Sequence, residues 1–123
     1  MRWGSNYREN IMRYDLNNPH LQIEPVYGDV VITFRDSRLV DEELLCKIEG
    51  DILKLGESQP GTNMTLDFKN VQFMSSSALG FLVKLQKSIK LGRGSLKLRN
   101  MSKEIYTVFK LTNLNKIFTI DTL

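Results

Sequence analysis

One cysteine, one histidine and one tryptophan in 123 residues leave this sequence short of the side chains from which most catalytic centres are built. Cys46 on its own excludes an internal disulfide and a multi-cysteine metal site. His20 on its own leaves few routes to a triad or a zinc centre. No apolar run approaches the roughly 18 residues a membrane span requires, so no membrane association is expected. The opening MRWGSNYREN has no apolar stretch behind its charges, so a secretory signal is not expected either. Internal repeats, linkers and low-complexity tracts are also lacking. These shortages argue against most enzyme classes, and the expectation is a non-enzyme with no cofactor and no metal.

The remaining composition is that of a globular domain. Hydrophobic residues make up 41% and charged residues 25%, and the length suits one domain with a single core. The net charge of +3 is unevenly spread. Between Lys84 and Lys116 nine basic residues face one acid, Glu104, a local excess of +8 that leaves −5 for the remainder. One reading is a polyanion or nucleotide binder using a Lys84–Lys97 face; the plainer one is a solvated surface. No aromatic residues interleave these lysines as in a single-strand groove, so direct nucleic-acid binding is not expected.

Residues 1–20 are polar and rich in asparagine (Asn6, Asn10, Asn17, Asn18) and read as an extension with a short helix around Glu9–Tyr14, ahead of a domain over 21–123. Leu21, Ile23 and Pro25-Val26-Tyr27 predict a strand, with the proline favouring an edge. Gly28-Asp29 predicts a turn into a second, β-branched strand over Val30–Phe34. From Asp41 the period becomes helical (Leu44, Leu45, Ile48, Ile52, Leu55), with acids in the first turn and Gly56 placed to end the helix. Met64–Phe68 alternates as a strand. Ala78, Leu79, Leu82, Val83, Gln86 and Ile89 trace a second helix stopping near Gly92, and Leu96 and Leu98 mark the next strand. Ser102 is placed to cap a third helix carrying Ile105, Val108 and Phe109 on one face, and Ile117–Ile120 suggests a last strand. Strand, helix, strand succession after a hairpin predicts an α/β fold: a single mixed, mostly parallel sheet of four or five strands flanked by about three helices.

The informative stretch runs from Leu66 to Gly80. Leu66-Asp67 ends a strand; Val71 and Phe73-Met74 follow; Ser75-Ser76-Ser77-Ala78-Leu79-Gly80 opens a helix. A serine there satisfies backbone N–H groups that lack an intrahelical partner, so a cap is the simplest reading of the run. The wider pattern resembles the STAS domain, the family of anti-sigma factor antagonists, in which a Leu-Asp strand end leads through Val-x-Phe/Met into Asp-Ser-Ser/Thr-Gly-Leu-Gly at a helix start. The Leu111-Thr112-Asn113-Leu114-Asn115-Lys116-Ile117-Phe118 run resembles the family's ending, and the likeness covers about residues 21–120.

The resemblance implies a cytoplasmic bacterial signalling protein that a partner kinase, itself the anti-sigma factor, phosphorylates on serine, with a phosphatase restoring it. The family's acceptor falls on Ser76, with Ser75 and Ser77 as fallback positions. Partner contacts are expected from Asp36, Ser37 and Arg38 after the second strand, and from Met74, the three serines and Leu79 around the motif. Ser75 stands where the family has aspartate, Ala78 and Asn113 where it has glycine, and Phe34-Arg35-Asp36-Ser37 where it commonly has Gly-x-Leu-Asp. A STAS scaffold that binds its partner without phosphorylation is the alternative within the same fold. Cys46 is expected as a small buried hydrophobe in the first helix, and His20 as a surface residue at the domain entrance.

Overall fold

The computed structural model describes residues 18–26, 29–58 and 60–122. Strands β1 (Leu21–Val26) and β2 (Asp29–Phe34) form the expected antiparallel pair. Of the turn expected at Gly28-Asp29, Asp29 already belongs to β2, while Gly28 and the helix expected around Glu9–Tyr14 lie outside the described residues. Then follow a two-residue strand β3 (Arg38–Leu39), helix α1 (Glu42–Ser58), β4 (Asn63–Asp67) and a second two-residue strand, β5 (Phe73–Met74). Helix α2 (Ser76–Leu91), β6 (Ser95–Met101), helix α3 (Lys103–Leu111), a 3-10 turn at Leu114–Lys116 and β7 (Thr119–Thr122) complete the order.

The main sheet has five strands in the order β1-β2-β4-β6-β7, and every pairing after the first is parallel. Pro25 sits on the edge strand, where its missing N–H costs no ladder bond on the outer side. The row Ile23–Ile32–Leu66–Leu98 crosses the sheet on one face and joins the helices in a single core. Each helix supplies a stripe: Leu45, Ile48, Ile52 and Leu55 from α1; Ala78, Phe81, Leu82, Leu85 and Ile89 from α2; Ile105 and Phe109 from α3. Burying one such side chain stabilises by roughly 1.5–3 kcal/mol, so these stripes fix which helix face meets the sheet. Phe34 packs on Phe68 with ring centroids 5.2 Å apart, and Phe109 meets Phe118 edge-on at 5.8 Å.

The cap at Ser102 falls where the sequence places it, and Asp41, expected only as an acid of the first turn, caps α1 as well. The Asp41 carboxylate accepts from Leu44 N at 3.3 Å, and Ser102 Oγ accepts from Ile105 N at 3.2 Å. Asn113 takes the left-handed conformation, φ 62°. Three expectations are corrected. Gly56 does not end α1, which continues to Ser58; a Cβ there would sit 2.9 Å from Ile89 Cδ1, so its smallness serves the close approach of α1 and α2. Cys46 is exposed, because it falls one residue off the Leu45–Ile48–Ile52–Leu55 stripe. Val108 is 42% exposed rather than part of the core. Among the described residues no helix is long and apolar enough to cross a membrane.

Candidate functional site

The serine run sits where β5 ends and α2 begins, and each hydroxyl has a different position. Ser75 is the N-cap, with extended backbone and its Oγ accepting from Ala78 N at 3.2 Å. Ser76 is the first helical residue and its side chain is exposed; Ser77 follows it, also exposed. Capping is therefore the work of Ser75, and the Ser76 hydroxyl stands clear at the positive end of a sixteen-residue helix.

Backbone bonds bring the chain after β2 to this point. β3 pairs with β5 in parallel, Arg38 opposite Phe73 and Leu39 opposite Met74. The Ser37 carbonyl accepts from Gln72 N at 2.7 Å and Phe73 N at 3.1 Å, and the Leu39 carbonyl accepts from Ser75 N at 3.0 Å. Ser37 and Arg38, far from the serine run along the chain, thus lie beside Phe73, Met74 and Ser75, with Asp36 just before them and Ser76, Ser77 and Leu79 just after Ser75 on α2. Ser37 and Arg38 are exposed, Met74 and Leu79 half-buried. The Arg38 guanidinium lies over the Phe73 ring, 4.9 Å from its centroid. Asp36 is less free than its neighbours: His20 Nδ1 lies 2.8 Å from Asp36 Oδ2, so the histidine read as a plain surface residue anchors the start of this loop.

Asp67 belongs to the scaffold of the site. It is buried, and its carboxylate accepts from Arg99 Nε at 3.0 Å, Lys69 N at 2.9 Å and Asn100 Nδ2 at 3.1–3.2 Å. Asn100 reaches it from a left-handed backbone, φ 58°, where β6 departs from regular pairing with β7. Asn70 Nδ2 donates to the Phe34 carbonyl at 3.0 Å, tying the next loop to the end of β2. Sequence reasoning missed β3, β5, this Asp67 network and the His20 anchor. Two-residue strands carry no periodicity to read, and hydrogen bonds between residues far apart in the chain leave no local signal.

The basic segment does not form a single face. Leu96 and Leu98 point into the core beneath the helices, so Lys97 between them projects from the opposite side of the sheet, where Asp121 pairs with it at 2.9 Å. On α2, Lys84 Nζ is 2.7 Å from Glu49 Oε2, a hydrogen bond that raises the lysine pKa above its usual value. Arg99 is committed to Asp67. A polyanion tract from Lys84 to Lys97 is thereby broken by the sheet and by internal pairing. Among the described residues no group of three or more histidine, cysteine, aspartate or glutamate side chains is placed to hold a metal ion.

The family model of the STAS domain matches residues 27–122. The chain belongs to the STAS domain family. The anti-sigma-B factor antagonist of Bacillus subtilis (strain 168) is 35% identical over 63 residues, 51% of this chain and 58% of that relative, so the chain spans less than two thirds of the relative's length. The anti-sigma factor antagonist SpoIIAA in its unphosphorylated form superposes with a TM-score of 0.71 at 24% identity, covering 84% of this chain and 88% of that one. The phosphorylated form of SpoIIAA, a Bacillus cell fate determinant, gives a TM-score of 0.63 at 22% identity, covering 84% and 91%. These likenesses carry the fold: a STAS sheet opening with a hairpin and flanked by three helices among the described residues.

Proposed function

We propose that this STAS domain is a regulatory protein-binding module of the anti-sigma factor antagonist type. It docks a kinase-type anti-sigma factor on the surface joining Ser37–Leu39 to Phe73–Leu79, and phosphorylation of Ser76 releases it. The observation that carries this reading is the separation of duties in the serine run: Ser75 caps α2 while the Ser76 hydroxyl is exposed. Support also comes from the Bacillus subtilis relative, which is an anti-sigma-B factor antagonist, and from SpoIIAA, whose structure exists in unphosphorylated and phosphorylated forms. The working domain on this reading is 21–123, with 1–20 as an extension, and the compartment is the cytoplasm.

The chemistry belongs to the partner. The Ser76 oxygen takes the γ-phosphoryl group of ATP, the bond to ADP breaks, and the hydroxyl proton leaves; a phosphatase reverses the state by hydrolysis. The product adds about −1.5 to −2 charges and three acceptor oxygens at a helix N-terminus, which favours anions by about 0.3–1 kcal/mol in exposed settings. The fold therefore tolerates the modification. A partner docked on the same surface does not, because an unpaired charge desolvated in an interface costs a few kcal/mol, and each ~1.4 kcal/mol is tenfold in affinity. Ser75 in place of an aspartate keeps the cap, since both residue types rank together at that position, and removes a negative neighbour from the acceptor.

The test is incubation with the kinase-type anti-sigma factor of the same organism and ATP, followed by mapping the modified residue by mass spectrometry. One phosphate on Ser76, lost in Ser76→Ala, is expected. Binding of Ser76→Asp should be weaker by about tenfold or more, from one misplaced interfacial charge. The absence of label from Ser75–Ser77, under conditions that label a control antagonist, rejects the switch. A second reading, a scaffold that binds without phosphorylation, is favoured by the neutral Ser75 at the family's acidic position, and it requires Ser76→Asp and Ser76→Ala to bind equally well.

A further inference from the structure

Beside the serine run the surface opens into an apolar groove of about 600 Å³, lined by Phe73 and Met74 of β5, Leu79 of α2, and Ile105 and Val108 of α3. Phe73 and Val108 leave 52% and 42% of their surfaces to solvent. Two large apolar side chains exposed together at one concavity form the kind of surface that contact sites use, unlike apolar residues scattered singly. Two opposite charges flank it. Arg38 lies against Phe73, and Glu104 lines the groove on the α3 side; neither forms an ion pair among the described residues. A guanidinium stacked on a ring keeps its N–H donors at the plane's edge, free for a carboxylate.

We infer that this groove receives one segment of a partner protein, bearing an apolar side chain flanked by an acidic residue that pairs with Arg38 and a basic residue that pairs with Glu104. The inference rests on the preceding reading only for which protein carries the segment. Charge order selects the occupant: a uniformly acidic or basic segment meets one favourable and one unfavourable flank. The groove is continuous with the docking surface, since Met74 precedes Ser75 directly and Leu79 lies one helical turn from Ser76. Its placement also links docking to modification, because Met74 and Leu79, which line the groove, lie on either side of Ser76 along the chain, so a phosphate there adds charge beside the groove. A second copy of this chain fits less well, since opposing two concavities leaves both apolar linings unfilled.

Two measurements on the full chain test this. In the first, a blocked peptide containing Glu-Leu-Leu-Lys is titrated against ¹⁵N-labelled protein, beside a control with serine in place of both leucines. Saturable shifts at Phe73, Leu79 and Val108 with the first peptide alone are expected, and Val108→Glu should abolish them. In the second, Phe73→Ser and Val108→Glu should weaken binding of the kinase-type anti-sigma factor by about tenfold or more, as truncation of an interface anchor does. Arg38→Glu should mainly slow association at low salt. All three positions are solvent-accessible, and an unchanged melting midpoint separates lost docking from lost fold.

Groove variants that bind the kinase like wild type, while Ser76 is still labelled, overturn the groove and leave the switch standing. A peptide that fills the groove while the kinase neither binds nor labels the chain does the reverse. Self-association that Val108→Glu abolishes makes a second copy the occupant and overturns the inference, as does a groove that neither peptide nor kinase perturbs.

Discussion

Replacing Ser75 and Ser76 separately by alanine should give opposite results in stability and in labelling. The Ser75 hydroxyl accepts from Ala78 N at 3.2 Å, satisfying a donor that α2 cannot satisfy from within. Losing an N-cap of this kind costs about 1 kcal/mol, within a range of about 0.5–2. For a domain of this size that lowers the melting midpoint by roughly 3–6 °C. The helix stays formed, because Ala78, Phe81, Leu82 and Leu85 remain packed in the core. The exposed Ser76 side chain caps nothing, so Ser76→Ala should stay within about 0.5 kcal/mol of wild type while removing the proposed phosphoacceptor. Ser75→Asp keeps a cap and adds a negative charge at the helix N-terminus, so its stability should equal wild type or exceed it by about 0.3–1 kcal/mol. Urea and thermal unfolding followed by circular dichroism measure all three. If Ser76→Ala loses as much stability as Ser75→Ala, the division of labour within the serine run is wrong.

The glycines should respond according to their surroundings. Gly50 lies inside α1, and a Cβ added there would meet nothing within 4 Å, so Gly50→Ala should raise stability by about 0.5–1 kcal/mol in urea titration. Gly94→Ala should lower it by about 1–3 kcal/mol, because its Cβ would overlap the Thr62 carbonyl oxygen, a backbone atom that cannot step aside. Asp67→Ala leaves Lys69 N and the Asn100 amide without their acceptor, and should destabilise by about 2–3 kcal/mol. Arg99, with 43% of its side chain exposed, recovers water and adds little to that cost. His20→Ala should lower the melting midpoint by at most roughly 3–6 °C while increasing amide hydrogen exchange at Asp36 and Ser37, since a part-exposed contact of this kind contributes at most about 1 kcal/mol.

The serine run is legible because a strand end, three hydroxyls and a helical apolar period fall together over fifteen residues, Leu66 to Gly80. The α/β order is legible for the same reason: periods of two and of about 3.6 are local properties, as is the cap at Ser102. Gly56 misleads because a glycine that ends a helix and one that lets two helices approach are the same letter. Cys46 misleads because its neighbour Leu45 is buried and it is not, a difference of one helical step.

The sequence by itself determined the longer strands and the helices, most of the apolar stripe each buries, and that a hydroxyl stands at the head of α2. Only the tertiary structure decided which hydroxyl is spent on the cap, and that Ser37–Leu39 pairs with the chain before α2. It alone decided that Lys84 and Lys97 belong to opposite sides of the sheet, and that Phe73 and Val108 meet across a groove. Propensity and periodicity act between residues a few positions apart. Pairing, burial and charge neutralisation act between residues that only the folded chain makes neighbours.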